Sequence, residues 1–220
     1  MRKRLLATAL TGAALTLAIS GNAAAQDRPI HLGVGLGYML PMGQVQGDMD
    51  VAGTTVKGAD LSEVVSGGIA LPWVEAGYFL TPQVEVGLYL NYGLLSVADD
   101  SCPDGADCSA SLLRYGLQGQ FHLGRGESTD IYFGLGLGLE NVSTTVEAGG
   151  QSADGSISGM ELNLLAGADF QVADGIALGP MVSFSLGQYS SAEAGGKSAD
   201  IEEKALHQWL TLGVKGSFGF

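Results

Sequence analysis

The sequence predicts an all-β protein, an eight-stranded antiparallel up-and-down transmembrane β-barrel. From Leu210 to Phe220 the chain alternates between apolar residues and small or polar ones, which is the period of a β-strand. Seven earlier segments show the same alternation. Charged residues make up only 15% of the chain and glycine supplies 35 of its 220 residues, so the outer surface is not that of an ordinary soluble domain.

The first 25 residues have the three parts of a secretory signal peptide. Three basic residues precede an apolar run from Leu5 to Ile19, and three alanines come directly before Gln26. We therefore expect a signal peptide at 1–25 and one barrel domain at 26–220. Removal of the leader leaves 7 basic and 23 acidic residues, a formal charge of −16. This charge argues against a nucleic-acid partner.

The alternating segments account for most of the remaining chain. They occupy about 30–40, 69–80, 84–94, 113–123, 131–140, 160–171, 176–187 and 210–220. The second segment has the weakest strand pattern, because Pro72 interrupts it. Short turns alternate with long loops, which are expected at about 41–67, 97–110, 144–156 and 188–204. In transmembrane barrels the short turns face the periplasm, so both chain ends are expected there.

The two faces of these strands distinguish a membrane barrel from a soluble one. A soluble barrel such as a lipocalin has large apolar residues inside and charged residues outside. Here one face is apolar, while the other is mostly Gly, Ser, Asn and Gln with isolated charges, which suits a crowded lumen. No segment after the leader approaches the ~20 apolar residues of a membrane-spanning helix. We therefore expect the apolar face to contact lipid.

The leader, the strand pattern and the final aromatic residue together resemble the small bacterial outer-membrane barrels of the OmpA and OmpX kind. The resemblance covers the whole mature chain. It implies export to the periplasm, insertion into the outer membrane, and contact with outer-membrane lipid, lipopolysaccharide and the assembly machinery of that membrane. A final strand that ends in Phe resembles the assembly signal of such barrels, and this assigns the signal to Phe218 and Phe220.

Cys102 and Cys108 lie in the second long loop, which is expected to face the outside. Exported proteins form disulfides in oxidising compartments, so a disulfide between these two residues is predicted. A metal site would need further ligands, and no Cys or His is near enough in sequence to suggest one. The sequence therefore predicts neither a metal site nor a cofactor.

Seven charged residues point inward by the alternation: Glu75, Glu85, Arg114, Glu140, Glu161, Asp169 and Lys215. If the fourth and fifth strands pair so that Arg114 lies opposite Glu140, then Glu161 is the next neighbour on the sixth strand. This predicts a Glu-Arg-Glu row inside the barrel. An eight-stranded barrel is only wide enough for its own side chains, so an ion-pair network that plugs the lumen is favoured. A gate for ions or small solutes is the alternative.

The candidates for catalysis are few. His31, His122 and His207 also point inward, where packed or hydrogen-bonded histidines are favoured over metal ligands. An Asp100-Ser101 pair, with His207 at the same outer rim, resembles part of a lipid-modifying outer-membrane enzyme. One dipeptide is not enough to indicate an active site, because acidic residues in such a loop are typical of an exposed, hydrated surface. We therefore predict no catalytic residues.

These features predict a non-enzymatic outer-membrane barrel that acts through four acidic outer loops or by stabilising the membrane. A narrow porin-like channel for ions or small solutes is the first alternative, and a lipid-modifying enzyme is the second. The loop carboxylates suit an exposed surface that meets an extracellular ligand. Divalent cations bridging them to anionic lipopolysaccharide are a further hypothesis.

Deletion of Phe220 tests the assembly signal. We expect a lower yield of assembled barrel in cells, whereas refolding of the purified chain into detergent micelles stays nearly intact. The reason is that this residue is read during assembly more than it is needed to close the barrel. Heat-modifiable gel mobility measures the folded fraction in both settings. An equal loss in both settings would contradict a recognition role.

Overall fold

A computed structural model describes residues 29–51, 54–98 and 101–219. The predictions for the leader, Asp100 and Phe220 lie outside these residues. The elements in chain order are β1 (Ile30–Gly43), β2 (Met49–Val51), β3 (Thr54–Val56), α1 (Leu61–Val64), β4 (Val65–Phe79), β5 (Val84–Val97), β6 (Asp107–His122), β7 (Thr129–Ala148), β8 (Gln151–Ala173), β9 (Ile176–Ala194), β10 (Lys197–Asp200) and β11 (Leu206–Gly219). Within the described ranges, no helix has the length and apolar character needed to cross a bilayer.

Eight of these strands form one closed antiparallel sheet. β1 pairs with β4, each strand from β4 to β9 pairs with the next, and β9 pairs with β11. The ring closes because β11 also pairs with β1, from His31 opposite Gly219 to Gly43 opposite His207. The predicted eight-stranded up-and-down barrel is confirmed.

Side chains alternate between the outer wall and the lumen. Along β1 the even-numbered residues from Ile30 to Leu40 are exposed, and the odd-numbered residues between them are buried. On β7, Leu137 is 63% exposed and Glu140 is 1% exposed. A wall of large exposed apolar side chains is the lipid-facing band of a transmembrane barrel. The predicted facing is therefore the observed one.

The weak pattern of the second predicted strand has a structural cause in β4. Ala70 and Trp73 both face the lumen, and the two residues between them, Leu71 and Pro72, are both exposed. The pairing of β4 with β5 shifts register at this point. A β-bulge inserts an extra residue and changes which residues face inward. Proline is suited to such a position because it cannot donate to the ladder.

Two of the four long loops predicted from the sequence are mostly strand. β7 and β8 continue through 144–156 and are joined at Gly149 and Gly150, which have φ of +58° and +78°. Glycine adopts these angles readily, as a two-residue hairpin turn requires. β9 likewise extends to Ala194, and β10 turns back beside it. The prediction failed because both faces of these extensions are at least partly exposed, so the sequence does not alternate there.

The extensions form what we call the outer sheet, a five-stranded sheet beyond one side of the barrel. Its strands run in the order β6, β7, β8, β9, β10. β7 has 20 residues and β8 has 23, about twice the ~9–11 that a strand needs to cross a membrane. The outer sheet consists of residues 107–111, 142–148, 151–158, 189–194 and 197–200.

The opposite side of the outer rim is shorter and carries α1. Cys102 and Cys108 form a disulfide with an S–S distance of 2.08 Å. This disulfide loop contacts α1, because the Ser101 hydroxyl donates to the Glu63 carbonyl at 2.5 Å. The Ala98 amide also donates to the Val64 carbonyl at 3.1 Å. The disulfide loop thus fastens the short helix over the outer end of the lumen.

A substitution at Leu135 tests the facing of the wall. Leu135→Arg is expected to prevent stable insertion, because Arg on the lipid face near the bilayer midplane costs ~2–4 kcal/mol. Leu135→Met is the matched control and should fold normally. The lumenal neighbour Gly136 is a poor control, since a Cβ there would lie 3.1 Å from Cε1 of Tyr89. Folding in lipid vesicles is measured by gel mobility, and normal folding of Leu135→Arg would mean that the facing is reversed.

Candidate functional site in the barrel lumen

The lumen is filled by side chains at four successive levels. From the turn side outward we name them the mouth cluster, the lysine level, the arginine level and the apolar plug. The six largest fully buried side chains lie in the lysine level, the arginine level and the plug: Trp73, Trp209, Arg114, Tyr132, Tyr189 and Lys215. An eight-stranded barrel leaves room for little more than its own side chains.

The mouth cluster centres on Glu85. His31 Nδ1 lies 3.0 Å from both carboxylate oxygens of Glu85, and His122 Nε2 lies 3.2 Å from Oε2. The other ring nitrogen of His122 lies 2.7 Å from Asp130 Oδ2. Asp169, on the adjoining wall, accepts a hydrogen bond of 2.5 Å from the Ser217 hydroxyl.

The lysine level centres on the pair formed by Lys215 and Glu75. Lys215 Nζ lies 3.0 Å from Glu75 Oε2, and both side chains are fully buried. Trp73 and Gln120 donate to the same carboxylate at 2.8 and 3.1 Å. The Lys215 ammonium also lies 3.9 Å from the ring centroid of Tyr132. These additional contacts largely replace the hydration that the two charges lose on burial.

The arginine level contains the ion pair of Arg114 and Glu161. Arg114 Nε donates to Glu161 Oε2 at 2.7 Å, and Nη2 lies at the same distance from that oxygen without hydrogen-bond geometry. The Tyr89 hydroxyl donates to the second carboxylate oxygen at 2.7 Å. All three residues are buried.

Glu140 is held by a different set of residues from the one predicted. The Tyr189 hydroxyl donates to Oε1 of Glu140, and Trp209 Nε1 donates to the same atom at 3.0 Å. His207 Nε2 lies 3.1 Å from it, and the His207 ring stacks on Tyr189 at 3.8 Å between centroids. The short ion pair of Arg114 is with Glu161, so the contacts within the predicted Glu-Arg-Glu row differ from those expected.

The pairing registers explain this difference. Arg114 lies opposite Glu140 in the register of β6 and β7, as the sequence suggested. In the register of β7 and β8, however, Gly138 lies opposite Glu161, and Glu140 lies opposite Gly159. A Cβ at Gly138 would collide with the Tyr89 hydroxyl. The missing side chain leaves the space in which Tyr89 and Glu161 meet beside Arg114.

The apolar plug closes the outer end of the lumen. Leu61 of α1 is fully buried there, together with Met39, Val65 and Leu112. The same cluster includes Ala70, Leu95, Ala110, Val142, Tyr189, Ile201 and Trp209. The sequence did not predict this plug, because Leu61 and Ile201 lie in segments read as loops.

The sequence also missed the role of the large aromatic residues in the lumen. Tyr89 and Tyr132 alternate with the lipid-facing row, which placed them inside but gave them no role. Trp73 lies beside the bulge, and Tyr189 lies in a segment predicted to be a loop. A buried Trp or Tyr usually finds a hydrogen-bond partner, so an aromatic residue at an inward position is the signal that could have found them.

The residues suggested for a lipid-modifying enzyme make other contacts in the described part of the chain. Ser101 uses its hydroxyl to bind the Glu63 carbonyl, and His207 is buried in the lumen against Glu140. Asp100, the partner suggested for Ser101, lies outside the described residues. Within residues 29–51, 54–98 and 101–219, no three His, Cys, Asp or Glu side chains are grouped to hold a metal ion.

Residues 11–218 match the family described as the outer membrane protein beta-barrel domain. The chain belongs to this family. Family membership implies the bacterial outer membrane as its location. No protein of curated function matches the sequence significantly.

Solved outer-membrane proteins share the fold at low sequence identity. OprG from Pseudomonas aeruginosa is 13% identical, with 88% of this chain and 96% of that chain covered and a TM-score of 0.54. Neisserial surface protein A is 12% identical, with 87% and 97% covered and a TM-score of 0.51. A major outer membrane protein from Thermus thermophilus is 11% identical, with 87% and 99% covered and a TM-score of 0.51. These similarities show a common fold.

Double-mutant cycles test the contacts of Arg114. Arg114→Ala is expected to destabilise the barrel by ~3–5 kcal/mol, because it leaves Glu161 buried without its cation. Arg114→Met combined with Glu161→Leu should recover most of that loss. Arg114→Met combined with Glu140→Leu should recover much less, because Glu140 is held by Tyr189, Trp209 and His207. Urea unfolding followed by gel mobility measures the free energies, and equal coupling in the two cycles would contradict the observed pairing.

Proposed function

We propose that the protein is a closed, non-catalytic barrel that anchors in the outer membrane and presents the outer sheet to the extracellular side. The observation that carries this proposal is the filled lumen. The lysine level, the arginine level and the apolar plug each place large side chains with almost no exposed surface across the barrel axis. A solute would have to break a buried ion pair at two of these levels, at a cost of ~3–5 kcal/mol each.

The outer sheet supports an interaction role at the cell surface. Its five segments contain five carboxylates and one lysine: Asp107, Glu147, Asp154, Glu193, Asp200 and Lys197. Asp107 and Glu147 are exposed directly opposite each other on β6 and β7, where like charges repel. A cationic group of an extracellular ligand would relieve this repulsion. Divalent cations that bridge the sheet to lipopolysaccharide would act in the same way.

The remaining partners follow from the expected route of the chain. The leader would direct export, and Phe218 and Phe220 would be read by the assembly machinery of the outer membrane. Phe218 lies on β11 opposite Leu32 of β1, so it belongs to the pair of strands that closes the ring. The apolar wall supports contact with outer-membrane lipid. The acidic charge argues against a nucleic-acid partner.

A narrow channel is the second candidate, and the polar atoms of the lumen favour it. Among the described residues, Nη1 of Arg114, both side-chain polar atoms of Asn91 and Nε2 of Gln118 are buried without a hydrogen-bond partner. Buried polar groups usually have partners or ordered water. A chain of such atoms could hydrate a path if the apolar plug moved aside.

Single-channel recording in planar bilayers distinguishes the two candidates. We expect the wild-type protein to show no steady discrete openings. The double variant Trp73→Ala, Trp209→Ala is the open-lumen control, because it removes the two largest lumenal side chains, and it should conduct if it folds by gel mobility. Steady openings of the wild-type protein would support the channel instead.

The interaction role is tested with a shortened hairpin that keeps its register. Deleting 145–148 and 151–154 removes four paired positions and leaves Gly149 and Gly150 between the paired residues Thr144 and Gly155. We expect this variant to fold and insert like the wild type, since the membrane part of the wall is unchanged. Surface cross-linking on intact cells should give adducts with the wild type that the variant lacks. Identical adducts from both proteins would contradict a role for the outer sheet.

A further inference from the structure

The turn-side end of the barrel contains a cavity of about 400 Å³. It lies among the ends of β1, β4, β6, β7, β8, β9 and β11, next to the turns that follow β6 and β8. Pockets that bind small molecules commonly measure ~300–1,000 Å³. The cavity therefore has the size of a small-molecule site, and it opens on the side that the short turns mark as periplasmic.

This cavity ends blindly within the barrel. The mouth cluster lines its inner part through His31 and His122. Beyond it, the fully buried Lys215 and Tyr132 of the lysine level are in contact across the lumen. A pocket with this form suits a bound ligand rather than a passing solute.

Carboxylates dominate the charge of the cavity wall. Glu127, Asp130, Asp169 and Asp174 line it, and Arg125 is the lining residue with a permanent positive charge. Asp130 is already engaged, since it accepts from the Gly124 amide at 3.0 Å and lies beside His122. The wall therefore attracts cations and repels anions.

Asp169 provides the second observation that points to a ligand. Its side chain is only 6% exposed, and Oδ2 accepts the hydrogen bond from Ser217. Oδ1 is buried and accepts no hydrogen bond from any residue that the structure describes. A buried carboxylate oxygen without a donor is costly, because it has lost its hydration without replacement. Asp169 lines the cavity, so a donor that enters it and displaces this side chain slightly would satisfy Oδ1.

Arg125 indicates what kind of cation the cavity accommodates. Its guanidinium carbon lies 3.5 Å from the ring centroid of Phe79, and both residues line the cavity. An aromatic face beside carboxylates is the environment in which proteins hold organic cations. The described residues offer no group of three side chains placed for a metal ion, which favours an organic cation over an inorganic one.

We propose that this cavity binds a small organic cation through a primary ammonium group that donates to Oδ1 of Asp169. Arg125, stacked on Phe79, is then the chain's own cation at the entrance and competes with the ligand for the same acidic wall. The ammonium group belongs either to a free diamine or to the lysine side chain of a peptide, and the two sources share this chemistry.

Calorimetric titration of the mature barrel in lipid nanodiscs tests the proposal. The probes are cadaverine, as a free diamine, and N-acetyl-lysine amide, as a peptide side chain. We expect saturable binding of at least one probe, and the tighter one identifies the source. Asp169→Asn should weaken binding by about tenfold, the effect of losing a hydrogen bond to a charged group. Asp104→Asn, which removes an exposed carboxylate from the disulfide loop at the outer rim, should leave the affinity unchanged.

Arg125→Ala tests whether Arg125 competes with the ligand. General charge attraction also predicts tighter binding by this variant, whereas a purely structural role for Arg125 predicts no gain in affinity. Removal of the competing cation should tighten binding several-fold, and this variant keeps the test valid if Asp169→Asn does not fold. Binding that Mg²⁺ abolishes equally in wild type and Asp169→Asn would overturn the proposal, because it would reflect the acidic surface alone. Absence of saturable binding of either probe to the wild type and to Arg125→Ala would also overturn it.

Discussion

The pairing of β11 with β1 is the constraint on which the rest of the structure depends. In the hydrocarbon core, no water is available for an unpaired backbone amide or carbonyl, so a membrane sheet has to close on itself. Thirteen residue pairs, from His31 with Gly219 to Gly43 with His207, join the first and last long strands. Closure with eight strands then fixes the diameter, and the diameter decides that the lumen holds side chains and little else.

A narrow lumen makes each inward residue part of a three-dimensional packing problem. Gly138 is small because Tyr89 occupies the space in front of it, and Tyr89 in turn donates to Glu161 beside Arg114. Oε1 of Glu140 likewise accepts hydrogen bonds from both Trp209 and Tyr189. Charges and aromatic donors are thus distributed so that each buried carboxylate of the two middle levels meets more than one donor. Such a network is sensitive to single substitutions, because removal of one member leaves another buried and unpaired.

The sequence predicted those parts of the structure that depend on local alternation. The two-residue period of the side chains and the short turns predict the eight strands and their facing. They also predict that Arg114 lies opposite Glu140. The contact of Arg114 with Glu161 depends instead on how side chains cross the lumen, which no strand pattern encodes. The bulge between Ala70 and Trp73 reversed the count within β4. The outer sheet was missed because most of its positions beyond the apolar plug are at least partly exposed on both faces, so the residues there do not alternate.

The outer sheet also gives the barrel a front and a back. Closed barrels of even wall height look alike from every direction in the plane of the membrane, but here β6 to β9 rise on one side while β4 and β5 end at Val65 and Val97 on the other. A neighbour that diffuses laterally meets a tall polar wall from one direction and a low rim with a disulfide-fastened helix from the other. Rotation of the barrel about the membrane normal therefore changes what it offers to its surroundings, and contacts in the membrane plane can be directional without any asymmetry of the lipid-facing surface.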